Sequence, residues 1–200
     1  MPVNSIVVAA CLEWMERHTP AGTLSVSALA PTPRWSTLRR AVELAAARRP
    51  APGMYPFEAF TETAQKLLTR AQKEAEHSGF SYIGTEHVLL AALGDPVSQA
   101  TKILGTLGLT EQTVRPALMK ALSRPEPKKN KTIVPTSRVR LVVELAFKIC
   151  QRANDPRVST GHILLALATE GKGIAAHVMK DLGADRDAIE AALGETEPEA

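Results

Sequence analysis

The segment Gly84-Thr85-Glu86-His87-Val88-Leu89-Leu90 recurs 75 residues later as Ser159-Thr160-Gly161-His162-Ile163-Leu164-Leu165. The same offset relates Thr61 to Thr136, each at the start of an amphipathic run. No insertion or deletion is needed between these points, so two copies of one supersecondary unit follow each other in the chain. This repeat restricts the fold more than any composition figure does.

Each copy is predicted to form four helices. Threonines stand where a helix would begin, apolar residues follow at spacings of three and four, and glycines such as Gly79 end the runs. The predicted helices span Thr61 to Ser78, Glu86 to Leu93, Val97 to Leu107 and Thr110 to Leu122, then Ser137 to Arg152, Thr160 to Thr169, Gly173 to Leu182 and Arg186 to Leu193. Thr85 is expected to cap the second helix. The predicted fold class is all-α, a tandem pseudo-twofold repeat of two four-helix units with a partly helical N-terminal extension.

Five regions are predicted along the chain. Residues 1–55 form an extension outside the repeat, 56–123 the first repeat, 124–132 a charged linker, 133–194 the second repeat and 195–200 an acidic tail that we expect to fray. The extension holds two predicted helices, Ser5 to Arg17 and Ser36 to Arg49. The second is basic and amphipathic, so it could contact nucleic acid, a membrane or an acidic partner. Packing of its apolar face on the repeats is the favoured interpretation.

Bulk composition excludes several classes of protein. The chain is 44% hydrophobic but only 4% aromatic, which favours a helical core of Leu, Val, Ile and Ala. The net charge of +3 lies in residues 1–55, and the repeats are nearly neutral, which disfavours nucleic-acid binding by the repeats. Cys11 and Cys150 stand apart, as in a reducing compartment. The apolar stretch Ile6 to Leu12 is too short to span a membrane. A cytoplasmic protein without a membrane contact is expected.

Two segments carry a resemblance to a known family. Phe57-Glu58-Ala59-Phe60-Thr61, followed by Ala64, and the segment Tyr82 to Leu90 resemble the N-terminal domain of ClpA/ClpC-type AAA+ unfoldases. That domain is a tandem of two four-helix repeats joined by a charged linker, and the resemblance covers about residues 56 to 193. Clp unfoldases continue into ATPase modules, whereas these 200 residues hold no Gly-x-x-x-x-Gly-Lys-Ser/Thr loop. A stand-alone Clp N-domain that is not an enzyme is therefore expected.

The resemblance implies a ligand and the residues that bind it. In ClpC-type members each repeat can hold a phosphorylated arginine, and the matching residues of the first repeat are Thr61 and Glu86. A helix start attracts phosphate, and a carboxylate pairs with a guanidinium. The matching residues of the second repeat are Thr136 and Gly161, so that pocket is expected to be degenerate. The alternative for Thr61 and Glu86 is a plain helix cap and a first-turn acid.

A second surface is implied by actinobacterial ClpC proteins, in which cyclic-peptide antibiotics bind between the starts of the two repeats. They use an aromatic residue before each repeat and a lysine. Phe57 matches the first aromatic residue, Pro135 replaces the second, and Arg140 stands where the lysine would be. The alternative for Phe57 is packing on its own helix bundle.

Neither catalysis nor a cofactor is indicated by the sequence. His87 and His162 recur at matching positions, but neither has a Cys or His at ligand spacing, so packed or capping histidines are predicted rather than a metal site. No Ser-His-Asp or Cys-His arrangement has a recognisable context. We expect no metal, no cofactor and no catalytic residue.

Three functions follow, in descending order of support. The first is a non-catalytic module of the Clp proteolytic system that binds proteins or peptides, including arginine-phosphorylated ones, as adaptor, substrate receptor or competitor of a Clp unfoldase or protease complex. The second is a decoy that sequesters cyclic-peptide antibiotics. The third is a DNA-associated regulator with a Clp-like sensor domain, which would depend on the extension.

Overall fold

The computed structural model describes residues 59–122 and 133–199. The predicted extension with its two helices, Phe57 and the whole predicted linker at 124–132 lie outside these ranges.

The described residues form eight helices and two short strands, which confirms the predicted all-helical repeat. The helices are α1 (Glu62–His77), α2 (Thr85–Leu93), α3 (Gln99–Thr106), α4 (Glu111–Ala121), α5 (Ser137–Ala153), α6 (Thr160–Glu170), α7 (Ile174–Asp181) and α8 (Arg186–Glu195). The strands β1 (Tyr82–Ile83) and β2 (Val134–Pro135) pair in parallel.

Two helix starts differ from the sequence-based prediction. The third helix begins at Gln99 rather than Val97, because the Asp95 side chain accepts a hydrogen bond from the Val97 N–H and holds a turn there. The cap of α2 is Gly84 rather than Thr85, and its N–H donates to the ring of His87. A side chain three residues into the helix thus reaches back to the cap, as in a capping box.

The centre of the molecule is formed by α2 and α6, the helices of the repeated segment. Their residues Thr85 to Ala92 and Thr160 to Leu167 are all buried. Such helices are apolar on every side and need neighbours all round. α1 covers α2 and α5 covers α6, and all join a single hydrophobic cluster.

The two repeats interlock rather than stand side by side. α3, from the first repeat, packs on α6 and α8, while α7, from the second, packs on α2 and α4. Each repeat therefore completes the other's core, which is the usual reason that tandem repeats are stable only together. This exchange decides which residues meet at the candidate sites.

Candidate functional site

Short parallel pairings join the start of each amphipathic helix to the opposite repeat. The Thr61 N–H donates to the Val158 carbonyl at 3.0 Å, and the Thr136 N–H donates to the Ile83 carbonyl at 3.0 Å. Thr61 therefore lies beside the start of α6, and Thr136 lies beside the turn that leads into α2. The start of the amphipathic helix in each repeat thus lies beside the chain that leads into the central helix of the other repeat.

A carboxylate occupies the site at Thr61. Glu199 Oε2 accepts hydrogen bonds from the Thr61 hydroxyl at 2.9 Å, the Thr63 hydroxyl at 2.6 Å and the Thr160 N–H at 3.0 Å. Its Oε1 accepts from the Gln99 N–H at 2.7 Å and from the Thr160 hydroxyl. We call Thr61, Thr63, Gln99 and Thr160 the Glu199 pocket.

The Glu199 pocket is an anion site by its chemistry. Gln99 and Thr160 are the first residues of α3 and α6, whose N–H groups have no partner inside their helices and carry the positive end of the helix dipole. Burial alone would raise the pKa of the Glu199 carboxyl. Hydrogen bonds from Thr160, Thr63 and Gln99 outweigh that cost and hold its pKa below the usual range.

The repeat offset places a second pocket around Thr136. Thr136, Arg138, Ile174 and Thr85 stand where the Glu199 pocket has Thr61, Thr63, Gln99 and Thr160. The local geometry also repeats, because the Ala175 N–H points at the Thr85 hydroxyl at 3.5 Å as the Ala100 N–H points at the Thr160 hydroxyl at 3.0 Å. We call Thr85, Glu86, Thr136, Arg138 and the N–H of Ile174 the Glu86 pocket.

Arg138 gives the Glu86 pocket a cation that the other pocket lacks. Its guanidinium donates to Glu170 at 2.8 Å, and the same carboxylate accepts from the Gly173 N–H at 2.6 Å. Glu170 therefore holds Arg138 at the start of α7. Half of the Arg138 side chain remains exposed.

Glu86 is a buried carboxylate without a cationic partner among the described residues. It is 3% exposed and folds back over Gly84, where any side chain would overlap it. Its nearest titratable neighbour is His87, whose Nδ1 lies 3.5 Å away. That nitrogen accepts the Gly84 N–H at 3.0 Å, so it carries no proton and makes no ion pair. Burial raises the pKa of the Glu86 carboxyl.

His87 is a neutral structural residue. With Nδ1 accepting, the proton is on Nε2, which is buried without a hydrogen-bond partner and lies among the rings of Phe80 and Tyr82. Burial lowers the pKa of His87 to about 4. His162 has the same Nδ1 role toward Ser159, but its Nε2 meets Asp155 at 3.0 Å. Both rings cap their helices, as predicted.

His87→Gln is expected to reduce the loss of stability in mild acid. Between pH 6.5 and about 4 the unfolded chain protonates His87 while the folded chain does not, so unfolding is favoured as the pH falls. The slope is at most about 1.4 kcal/mol per pH unit. Glutamine keeps an acceptor for the cap and removes this proton uptake. Urea unfolding from pH 7 to 4 measures the slope, with the exposed His77→Gln as control. An unchanged slope would contradict this assignment.

Gly161 is required by packing. A Cβ at this position would overlap the side-chain amide of Gln99 and a methyl group of Leu193. Gln99 is itself fixed, because its Oε1 accepts the Ser159 hydroxyl at 2.8 Å and its Nε2 donates to the Glu197 carbonyl at 3.3 Å. The space that Glu86 has in one repeat is filled by α3 and α8 in the other.

The structure places the sequence-predicted site residues at the junctions between the repeats. Thr61 and Glu86 were assigned to one pocket within the first repeat; in the described residues no hydrogen bond or ion pair joins Glu86 to Thr61 or to Thr136. Thr61 lies with Thr160, next to Gly161, and Thr136 lies with the turn before Glu86. The interlocked packing of the repeats is the physical reason.

The predicted antibiotic surface is only partly described. Pro135 is buried in β2, and Arg140 is half-buried with an Nε that has no hydrogen-bond partner. Phe57 lies outside the described residues. Val134, Tyr82 and Leu141 are the exposed large apolar side chains near this end of α5.

Sequence reasoning missed Thr63, Gln99, Thr160 and Glu199 at the Glu199 pocket, and Thr85, Arg138 and Ile174 at the Glu86 pocket. Thr160 carried a signal, since it matches Thr85 within the repeated segment. Glu199 carried none, and the segment after α8 was expected to fray. Instead it is tied to α1, α3 and α6 by the contacts of its carboxylate.

In residues 59–122 and 133–199, no group of three or more His, Cys, Asp or Glu side chains could hold a metal ion. None of the helices in these ranges is both long and apolar enough to cross a membrane.

Comparison with known sequences identifies relatives of the described region. The family described as the Clp repeat (R) N-terminal domain matches residues 59–196. A ClpA homolog of the ATP-dependent Clp protease ATP-binding subunit from Cyanidium caldarium is 37% identical over 144 residues, covering 70% of this chain and 17% of the relative. The negative regulator of genetic competence ClpC/MecB from Bacillus subtilis is 39% identical over 127 residues, covering 64% and 16%. The chain thus spans about a sixth of these relatives' length.

Solved structures show the same fold. The N-terminal domain of the chaperone ClpD from Arabidopsis thaliana is 27% identical with a TM-score of 0.56, covering 70% of this chain and 98% of that one. The Hsp104 N-terminal domain from Candida albicans is 23% identical with a TM-score of 0.58, covering 68% and 89%, and supports the fold alone.

Proposed function

Because the chain belongs to the family of Clp repeat N-terminal domains, we propose that it captures proteins and peptides for a Clp unfoldase, as an adaptor, substrate receptor or competitor. N-domains of this family are the substrate- and adaptor-binding modules of Clp chaperones. The two pockets at the repeat junctions are the polar features of this chain that suit such a role.

The ligand we propose for the Glu86 pocket is a phosphorylated arginine. Such a side chain carries a phosphate and a guanidinium only a bond apart, so its site needs anion donors beside a carboxylate. The Glu86 pocket has Thr136 and the N-termini of α2 and α7 for the phosphate, with Arg138, which also pairs with Glu170, beside them. Glu86 supplies the carboxylate for the guanidinium.

The observation that carries this proposal is the Glu199 carboxylate in the related pocket. Five hydrogen bonds hold it there, from positions that the repeat offset maps onto the Glu86 pocket. The mapped donors are two threonine hydroxyls, the N–H groups of Thr85 and Ile174, and Arg138 in place of Thr63. Because the Glu199 pocket holds an anionic carboxylate at one repeat junction, anion binding is expected at the equivalent junction.

The buried Glu86 carboxylate is the reason for proposing a ligand that carries a guanidinium. A buried ionised carboxylate is costly unless a cation or several donors accompany it. His87 is neutral, so Glu86 has no cationic partner among the described residues. The guanidinium of a ligand would supply one. Gly161 leaves the Glu199 pocket without an equivalent carboxylate, so one phosphoarginine per chain is expected.

Thr136→Ala is expected to weaken phosphoarginine binding about tenfold, which corresponds to loss of a hydrogen bond to a charged group. Thr61→Ala is the matched control, because each threonine caps its helix by accepting an N–H three residues on, from Val139 and Ala64 respectively. Both variants lose a helix cap, but only Thr136→Ala changes the Glu86 pocket. Isothermal titration calorimetry with phosphoarginine measures the difference.

If Thr61 and Glu86 instead form one pocket within the first repeat, the opposite result is expected. In that case Thr61→Ala weakens phosphoarginine binding and Thr136→Ala leaves it unchanged. That outcome would refute the arrangement proposed here. Equal losses in the two variants would assign the effect to helix capping.

A further inference from the structure

The segment that follows α8 turns back onto the body of the molecule. Thr196 closes α8, with its N–H donating to the Leu193 carbonyl at 3.3 Å and its hydroxyl to the Ala192 carbonyl at 2.6 Å. The Glu197 carbonyl accepts from the Gln99 amide, and Glu199 enters its pocket two residues later. We call residues 196–199 the latch.

The pocket that receives the latch is built from buried polar side chains. Thr61 is 1% exposed, Thr160 is fully buried and Gln99 is 4% exposed. They come from three helices that are distant in sequence, and α8 ends at Thr196 without any help from Glu199. Capping of α8 therefore does not explain why these donors converge on one point.

All five donors to Glu199 are uncharged N–H and O–H groups. None is specific to glutamate, since hydroxyls and helix N-termini bind carboxylates and phosphates alike. Glu199 reaches the pocket from a short extended segment, as an acidic side chain of another polypeptide could. The Glu199 carboxylate thus occupies its pocket as the acidic side chain of a bound peptide would.

A cleft beside the latch gives an incoming chain room. It has a volume of about 730 Å³, and Pro198 and Glu199 are among its lining residues. Arg152 and Arg157, both exposed, also line it, together with the acidic Asp155 and Glu190. A negatively charged segment would meet these guanidinium groups on its way to the pocket.

We infer that the Glu199 pocket is a second anion-binding site, closed by the chain's own latch, and that an acidic or phosphorylated side chain of a partner binds there only by displacing Glu199. This inference goes beyond the proposed function, which concerns the Glu86 pocket. An intramolecular competitor lowers the apparent affinity of a site by the fraction of molecules in which the site is open.

Glu199→Ala tests the inference, with Glu197→Ala as the matched control. The Glu197 side chain is exposed, and only its main-chain carbonyl contacts the pocket. Acetate and inorganic phosphate are the probes, one for a carboxylate source and one for a phosphate source. Amide NMR shifts of Gln99 and Thr160 report on this pocket, while those of Thr85 and Ile174 report on the Glu86 pocket in the same spectra.

Glu199→Ala is expected to bind at least one probe at Gln99 and Thr160 with an affinity about tenfold higher than the wild type, and Glu197→Ala is expected to match the wild type. Equal affinity in wild type and Glu199→Ala would overturn the inference, as would the absence of any shift at Gln99 and Thr160 in Glu199→Ala. Either result leaves the proposed function to be judged at Thr85 and Ile174. Thermal unfolding of each variant confirms that it is folded.

Discussion

Gly161→Glu is expected to destabilise the chain by about 2–4 kcal/mol rather than to create a second carboxylate-bearing pocket. The new side chain would overlap the Gln99 amide and Leu193, so α3 and α8 would have to move away from the start of α6. It would also place a carboxylate in a buried position without a cation. Urea unfolding gives the change in the free energy of unfolding.

Gly105→Glu is the matched control for this substitution. Gly105 lies within α3, is exposed, and has open space where its Cβ would be. Replacing a glycine inside a helix by a good helix former stabilises by up to about 1 kcal/mol. The same chemical change should therefore have opposite signs at the two positions. A stable Gly161→Glu variant that binds two phosphoarginines per chain would show that the packing at α6 is not restrictive.

Glu86→Gln is expected to stabilise the free protein while it removes ligand affinity. Burial raises the pKa of this carboxyl, so above the ordinary pKa of glutamate the folded chain holds more protons than the unfolded chain. Stability then falls as the pH rises through that window, and the ionised group destabilises the fold at pH 7. A neutral amide avoids this cost, and a gain on the order of 1 kcal/mol is expected at pH 7.

Acid should abolish the stability gain of Glu86→Gln, because below the ordinary pKa of glutamate the carboxyl is protonated in both states. Glu62→Gln serves as the control, since Glu62 also lies in the first turn of a helix but is exposed and pairs with Lys66 at 2.7 Å. Urea unfolding at pH 7 and pH 3 makes the comparison. A loss of stability in Glu86→Gln at pH 7 would show that Glu86 is a helix-stabilising acid and not a strained binding group.

The helical architecture could be predicted from the sequence because its signals are local. Thr61 and Thr136 cap their helices through side-chain oxygens, and the apolar bodies of α2 and α6 are as buried as their composition indicates. The 75-residue offset already implied a pseudo-twofold arrangement. The caps and the apolar periodicity depend on residues within a few positions of one another, and the offset is found by comparing the sequence with itself.

The composition of the pockets could not be predicted in the same way, because it depends on the interlocking of the repeats. A repeat offset identifies equivalent residues but does not say whether a pocket forms within a repeat or between repeats. The hydrogen bond from Thr136 to Ile83 places Thr136 beside the turn before α2, and the shared contact with Glu199 places Thr61 beside Thr160. Gln99 entered the site because α3 crosses onto α6, which is a tertiary property.

We propose that one carboxylate, Glu86, makes the chain a receptor for a ligand that carries both a phosphate and a guanidinium. The most direct test is isothermal titration calorimetry of phosphoarginine into the wild type and Glu86→Gln. We expect one site per wild-type chain, and a loss on the order of 1.5–3 kcal/mol in binding free energy for Glu86→Gln, as for removal of a charged hydrogen bond. Unchanged affinity in Glu86→Gln, or two equivalent sites in the wild type, would contradict it.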